Sequence, residues 1–242
     1  MTTPDPVPAT VDIFERMGLR LLLDQTSMLD KRLVDSGEWE LEQTTYLGSL
    51  IDRLRGRTLL VFLDIGAYLG LYSLIVHRSG AFDQIHAFEA DRHNFAQLQA
   101  NLFLNQATKT ITSYNKAVGE KDGTLFVWDS TSHPDGSRAG VGIVDEASGL
   151  PGIRTPSVAI DSALKLSGCH ILMKIDVESF EPWVLRGLTK TVANNKVVMQ
   201  VEVYDENKAS VFEEIERLGL RQIHCIYPDY YLTNMSEDEL GL

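Results

Sequence analysis

Cysteine is nearly absent: Cys169 and Cys225 are the only two in 242 residues. Two thiols cannot build a disulfide scaffold. Six scattered histidines add no metal-ligand spacing to them, so no metal ligand is assigned. Each cysteine sits in a strand-like apolar segment and reads as a reduced, buried thiol. Basic residues are also few. Twenty-two Lys and Arg against 34 Asp and Glu leave a formal charge of −12. Such a surface repels phosphates and anionic lipid heads, so neither nucleic acid nor a membrane is an expected partner. No apolar run approaches the roughly 18 residues of a membrane span. Residues Met1 to Pro8 have no basic start and no apolar stretch, and they hold three prolines. They read as an extended tail rather than a signal peptide, which points to the cytoplasm.

What is present is a globular composition, 44 % apolar and 23 % charged, with an α/β rhythm. Asp12 and Glu15 have capping-box spacing, and Phe14, Met17 and Leu21 follow at i, i+3 and i+7, which predicts a first helix. A second helix is predicted over residues 42–54, with Leu47, Leu50, Ile51 and Leu54 on one face. Residues 1–57 are thus expected to be a tail and covering helices ahead of a main domain, 58–242. That domain opens with the continuous apolar run 58–63, the mark of a strand buried on both faces. Further strands are predicted at 85–88, 110–118, 171–177 and 196–203. Helices are predicted at 71–76, 93–104 (apolar stripe Phe95, Leu98 and Leu102), from Pro182 to Gly187, and around Val211, Phe212, Ile215 and Leu218. Lys121 to Gly123 reads as a turn sending 124–128 back as a hairpin arm, and 222–227 with 230–233 as a terminal hairpin around Pro228-Asp229. Alternating strands and helices predict a mostly parallel sheet with helices on both faces and an antiparallel edge hairpin. Ligands of such sheets bind at the carboxyl ends of the strands.

Those ends carry the chemistry. The first strand runs into Asp64-Ile-Gly66-Ala-Tyr68-Leu-Gly70, a glycine turn that can bring backbone N–H groups to a ligand. The second ends in Glu89, 19 residues after Gly70, the separation at which a carboxylate accepts ribose hydroxyls over such a turn. Together they indicate a nucleoside. A dinucleotide-dependent oxidoreductase is the first alternative, but the turn lacks the middle glycine that a pyrophosphate needs. A non-catalytic binding protein on the same fold is the second.

Phe62 to Gly70 resembles the first motif of class I S-adenosylmethionine-dependent methyltransferases, and His86 to Asp91 with Asn101 and Leu104-Asn105 resembles their second. Lys174-Ile-Asp-Val-Glu-Ser-Phe-Glu-Pro-Trp-Val-Leu-Arg-Gly187 is similar to the segment that distinguishes the FkbM family. Asn115 to Gly123 fits that family's turn after the third strand, and Ala159 to Ser162 its segment before the fourth. Tyr68, Ala90 and Ser179 stand where the family usually has Asn, Pro and Gly. The resemblance implies a Rossmann-like seven-stranded sheet and S-adenosylmethionine as cofactor. It implies that Asp64 holds the turn and reaches the cofactor's amino group, and that Gly66 and Gly70 admit its methionine moiety. It further implies that Tyr68 stands at the methionine carboxylate, Glu89 at the ribose and Ala117 at the adenine.

Period two puts Lys174, Asp176 and Glu178 on one face of a central strand, and Gln200, Glu202 and Tyr204 on one face of the next. Charges there must be paired, so Lys174 is expected to offset the carboxylates. Methyl transfer to an alcohol needs a base or a metal at the acceptor oxygen. Asp176 and Glu202 are the candidates, as base or as an oxygen-ligand pair for a divalent ion such as Mg²⁺, which the pattern leaves open. His133 is a second base candidate. The Gly-rich stretch 130–156 reads as a long loop over the acceptor, with Arg138 and Arg154 as its polar contacts. Trp183 reads as core packing. The expected activity is O-methylation of a small molecule, a polyketide-like product or a sugar.

Overall fold

A computed structural model describes residues 10–132 and 138–241. Its first element is not a helix. Strands β1 (Val11–Arg16) and β2 (Leu19–Asp24) pair antiparallel, with Arg16 opposite Leu19. The two residues between them, Met17 and Gly18, have φ of 51° and 71°. Positive φ at both positions is what a tight hairpin turn requires. Leu19, Leu21 and Leu23 alternate inward and are buried, a period of two that overrides the helical spacing of Phe14, Met17 and Leu21. The Asp12 carboxylate accepts from the Ile13 amide beside it rather than capping a helix. Leu22 is held on both backbone groups by side chains of a later helix, its N–H by Asn101 Oδ1 and its carbonyl by Gln97 Nε2.

Helices α1 (Met28–Ser36) and α2 (Leu41–Leu54) follow, and α2 buries the four expected residues Leu47, Leu50, Ile51 and Leu54. Next come β3 (Leu60–Ile65), α3 (Leu71–Ser79), β4 (Gln84–Phe88), α4 (Arg92–Leu104) and β5 (Ile111–Tyr114). The expected third strand, 110–118, ends at Tyr114. There the Asn115 side chain donates to the carbonyls of Glu89 and Ala90 and turns the chain out of the sheet. The remainder, β6 (Ala117–Val118), joins β7 (Gly123–Trp128) and β8 (Gly152–Val158) in a separate three-stranded sheet of order β6-β8-β7. Thus β7 pairs with β8, not with the third strand. The end of the expected loop 130–156 is itself strand, and Ser130–Ser132 and Glu146–Ser148 are short 3₁₀ turns. His133, Gly136 and the tail 1–9 lie outside the described residues.

The chain continues through α5 (Ile160–Ala163), β9 (His170–Ile175), α6 (Glu181–Arg186), α7 (Thr189–Asn194) and β10 (Lys196–Glu202). It closes with α8 (Lys208–Arg217), β11 (Arg221–Ile226), β12 (Asp229–Thr233) and α9 (Glu237–Leu240). The main sheet has seven strands in the order β11-β12-β10-β9-β3-β4-β5. Only β12 runs antiparallel to its neighbours. Along β3, Leu60 and Phe62 join the core beneath the hairpin, α2, α3 and α4. Val61, Leu63 and Ile65 join the core on the other face, with residues of α6, α7 and α8. Burial on both faces explains the unbroken apolar run. The strand order reverses between β3 and β9, which opens a crevice at their carboxyl ends. Among the described residues no helix is long and apolar enough to cross a membrane. Of the two cysteines, Cys169 is buried as expected, but Cys225 is exposed because it lies on edge strand β11.

Candidate active site

The crevice begins where β3 meets β9. Gly66 has φ 83°, and a Cβ placed on it would lie 1.7 Å from the Asp176 carbonyl oxygen. Gly70 has φ 86°, and a Cβ there would meet Leu98 Cγ at 3.2 Å. Both glycines therefore admit the protein's own atoms. Gly66 is needed for the close crossing of two strand ends, and Gly70 for packing α3 against α4. Gly66 also lines the cavity described below, whereas Gly70 does not. Asp64 is wholly buried, and its Oδ2 accepts from Ser73 N at 3.0 Å and Ser73 Oγ at 2.6 Å. It fixes the first turn of α3. Burial raises its pKa, against the opposing pull of Ser73.

Glu89 follows β4 directly. Its Oε2 accepts from the Tyr68 N–H and its Oε1 from the Asp91 N–H, both at 2.8 Å. Burial still pushes its pKa up to about 8, and the two backbone bonds only moderate this. A carboxylate has about four lone-pair positions, so each oxygen keeps one for a further donor. Tyr68 has φ 49°, in the left-handed region, and its hydroxyl meets Asp30 Oδ1 at 2.8 Å and Ser27 Oγ at 3.0 Å. Its ring thus leans toward α1, while its N–H serves Glu89.

One cavity of about 360 Å³ connects these parts. At one end Phe88, Ala117 and Val118 make an apolar slot beside Asn94. Asn94 Nδ2 donates to the Arg138 carbonyl, and its buried Oδ1 has no partner among the described residues. Gly66, Tyr68 and Glu89 form the middle. Asp176, Glu178, Glu202 and Tyr204 close the far end. Two walls come from outside the motifs: Met28, Leu29, Arg32, Trp39 and Glu40 from the N-terminal segment, and Ala139, Val141 and Ile143 from the chain between β7 and β8. Both segments were expected to cover the site, but these particular residues carry no spacing signal and were not singled out in the sequence. A smaller cavity of about 70 Å³ reaches from Gly66 to Asp64, Tyr72 and Lys174.

The acidic end is organised around Lys174. Its ammonium bonds Asp176 Oδ2 at 2.5 Å and lies 4.8 Å from the centre of the Tyr72 ring. Burial opposes its charge, but Asp176, Glu40, Tyr72 and Asp229 more than offset that and hold its pKa well above the ordinary value. The expected offsetting network is thus present. Tyr72 donates to Glu40 at 2.6 Å, and Gln200 donates to both Tyr72 and Asp229. Glu202 accepts from Tyr204 at 3.1 Å, and burial together with the adjacent, hydrogen-bonded Asp176 pushes it up to about 9. The alternation of Lys174, Asp176 and Glu178 ends with the strand at Ile175. Glu178 and Ser179 have φ of 54° and 70°, two left-handed residues in succession. Ser179, where the family usually has Gly, takes the conformation glycine adopts most easily. Glu178 still faces the cavity, and burial followed by the Asp176 charge raises it to about 7.

Three expectations fail here. Arg154 is an exposed partner of Glu146, drawn there by the outward face of β8. Arg138 does not reach the cavity, because its guanidinium turns inward to Gln97 Oε1 at 2.8 Å and to buried Asp30 at 3.3 Å. Trp183 is 41 % exposed and stacks on Phe180 at 4.7 Å rather than entering the core. Among the described residues no group of three or more His, Cys, Asp or Glu is arranged to hold a metal ion.

A family model described as the methyltransferase FkbM domain matches residues 64–222. Solved structures are also similar to parts of the chain. A methyltransferase FkbM from Methylobacillus flagellatus KT is 20 % identical over 71 % of this chain and 42 % of its own, with a TM-score of 0.49. Trm5b from Pyrococcus abyssi is 11 % identical over 94 % and 55 %, with a TM-score of 0.46. TYW2 from M. jannaschii, in complex with AdoMet, is 12 % identical over 94 % and 85 %, also at 0.46. The chain thus spans less than half of the first of these proteins and just over half of the second. No curated protein matches the sequence. The domain match covers most of the chain, from the end of β3 to β11, and on it this protein belongs to the FkbM methyltransferase family.

Proposed function

We propose that this protein moves a methyl group from S-adenosylmethionine to a hydroxyl of a small molecule, a polyketide-like product or a sugar. The observation that carries the reading is the continuity of one cavity from Glu89 to Asp176 and Glu202. Its volume, about 360 Å³, suits a nucleoside-sized ligand. The free lone pairs of Glu89 accept the ribose hydroxyls. The slot of Phe88, Ala117 and Val118 takes the adenine, and Asn94 Oδ1 is an acceptor for its amino group. Tyr68 contributes its N–H through Glu89, so its part is indirect. Gly66 sets the floor, while Asp64 and Gly70 act behind it by holding α3.

Bound there, S-adenosylmethionine supplies an electrophilic methyl on a sulfonium. Transfer is an in-line displacement: the acceptor oxygen–carbon bond forms as the carbon–sulfur bond breaks. The acceptor proton goes to the carboxylate pair of Asp176 and Glu202, which share one end of the cavity. Lys174, ion-paired to Asp176, fixes that side chain in place. The walls from the N-terminal segment and from Ala139, Val141 and Ile143 exclude water from the acceptor oxygen. A formal charge of −12 supports a small-molecule acceptor over nucleic acid or membrane, and a cytoplasmic setting goes with this reading. Isothermal titration with S-adenosylhomocysteine tests the proposal. Heat of binding, with an affinity that Glu89→Ala weakens, is the expected result. Absence of heat from the unaltered protein at high concentration overturns it.

A further inference from the structure

Asp30 lies ahead of the matched domain, on α1, and it is fully buried. A buried carboxylate persists only when its charge and lone pairs are met. Its contacts tie together the glycine turn, β2, α4 and the chain between β7 and β8. Oδ1 accepts from the Tyr68 hydroxyl at 2.8 Å. Oδ2 accepts from the Asp24 N–H of β2 at 2.8 Å and from Gln97 Nε2 of α4 at 2.6 Å. The Arg138 guanidinium, 3.3 Å from Oδ2, supplies the compensating charge. Arg138 is in turn anchored by Asn94, which donates to its carbonyl at 2.8 Å, and it leads directly into the wall residues Ala139, Val141 and Ile143.

The branch through Tyr68 has a consequence for Glu89. A non-glycine residue in the left-handed region is strained and persists only where its surroundings hold it there. The hydroxyl bonds to Asp30 and Ser27 pin the ring of Tyr68, and Asp64 pins the helix that follows. The peptide between Ala67 and Tyr68 is then fixed with its N–H on Glu89 Oε2. We propose that Asp30 is a positioning residue for the cofactor: acting through the Tyr68 hydroxyl, it holds the N–H that orients Glu89, and through Arg138 it ties down the chain that roofs the same cavity. This rests on the reading of Glu89 as the ribose acceptor.

The carboxylates of Asp64 on β3 and Asp91 ahead of α4 bear on Glu89 as like charges, so the two backbone N–H groups are its stabilising contacts. Losing the Tyr68 N–H therefore moves the ionisation of Glu89 to higher pH. Ribose binding by the charged form weakens as pH falls through that value.

The test is titration of Asp30→Asn, Tyr68→Phe and the double variant with S-adenosylhomocysteine across pH, with circular dichroism to confirm folding. Each single variant is expected to weaken binding roughly tenfold, about one hydrogen bond to a charged group. The low-pH limb of binding is expected to move upward in both, and Glu89→Gln is expected to flatten it. Adding Tyr68→Phe to Asp30→Asn should change affinity by less than about twofold, because contacts in one chain are non-additive. If Asp30→Asn does not fold, Tyr68→Phe alone reads the same limb. A folded variant with unaltered affinity and an unmoved limb, or full additivity in the double variant, overturns the inference while leaving the proposed function intact. No heat from the unaltered protein overturns both.

Discussion

The two ends of the cavity are built differently. At the Glu89 end, the carboxylate is met by two backbone N–H groups, those of Tyr68 and Asp91. At the far end, Asp176, Glu178 and Glu202 are set by side chains alone, with Lys174 as the single buried cation among them. The first end thus rests on main-chain donors that the surrounding fold holds in place, and the second on a balance of charges that any substitution resets.

The comparison can be broken at its hinge. Gly66→Ala places a methyl 1.7 Å from the Asp176 carbonyl, and should cost about 3 kcal/mol or more of stability, read as a lowered denaturation midpoint. A variant as stable as the parent means that the strand ends separate easily. Glu89→Ala should weaken S-adenosylhomocysteine binding by about 1.5–3 kcal/mol, the scale of a charged hydrogen-bonding group, without a comparable loss of fold.

The acidic end should show itself in the pH dependence of stability. Burial raises Glu89 to about 8, Glu202 to about 9, and Glu178 and Glu181 to about 7, all above the ordinary value of 4.5. The folded state therefore holds more protons than the unfolded one above that ordinary value. Stability tied to these groups is complete below pH about 4.5 and is lost as pH rises through about 7 to 9. The melting temperature should fall by roughly 4 °C or more between about pH 6 and about pH 9. Glu202→Gln should reduce the slope, and a flat profile would show these carboxylates to be well hydrated. The smallest effect belongs to Arg154→Ala, an exposed pair with Glu146, which should shift stability by less than about 0.5 kcal/mol and leave cofactor binding unchanged.

What was legible in the sequence follows the same division. The parallel sheet, the glycine turn and Glu89 could be read because they rest on continuous burial and on a backbone distance that spacing along the chain encodes. The hairpin was misread because Phe14, Met17 and Leu21 mimic a helical stripe, while the decisive features are a left-handed Met17 and the alternation of Leu19, Leu21 and Leu23. The third strand was drawn too long because nothing in residues 110–118 announces that Asn115 will bind two carbonyls at the end of β4. Arg138 and Arg154 look alike in a Gly-rich stretch, and only tertiary contact separates a buried clasp from a surface pair. Asp30, Trp39 and Glu40 reach the site from segments with no motif at all.

The contact between Gly66 and the Asp176 carbonyl has a last implication. Main chain meets main chain there, so the span between Glu89 and the corner of Asp176 and Glu202 is a fixed gauge length. Side chains at either extremity can be exchanged while that length stays the same.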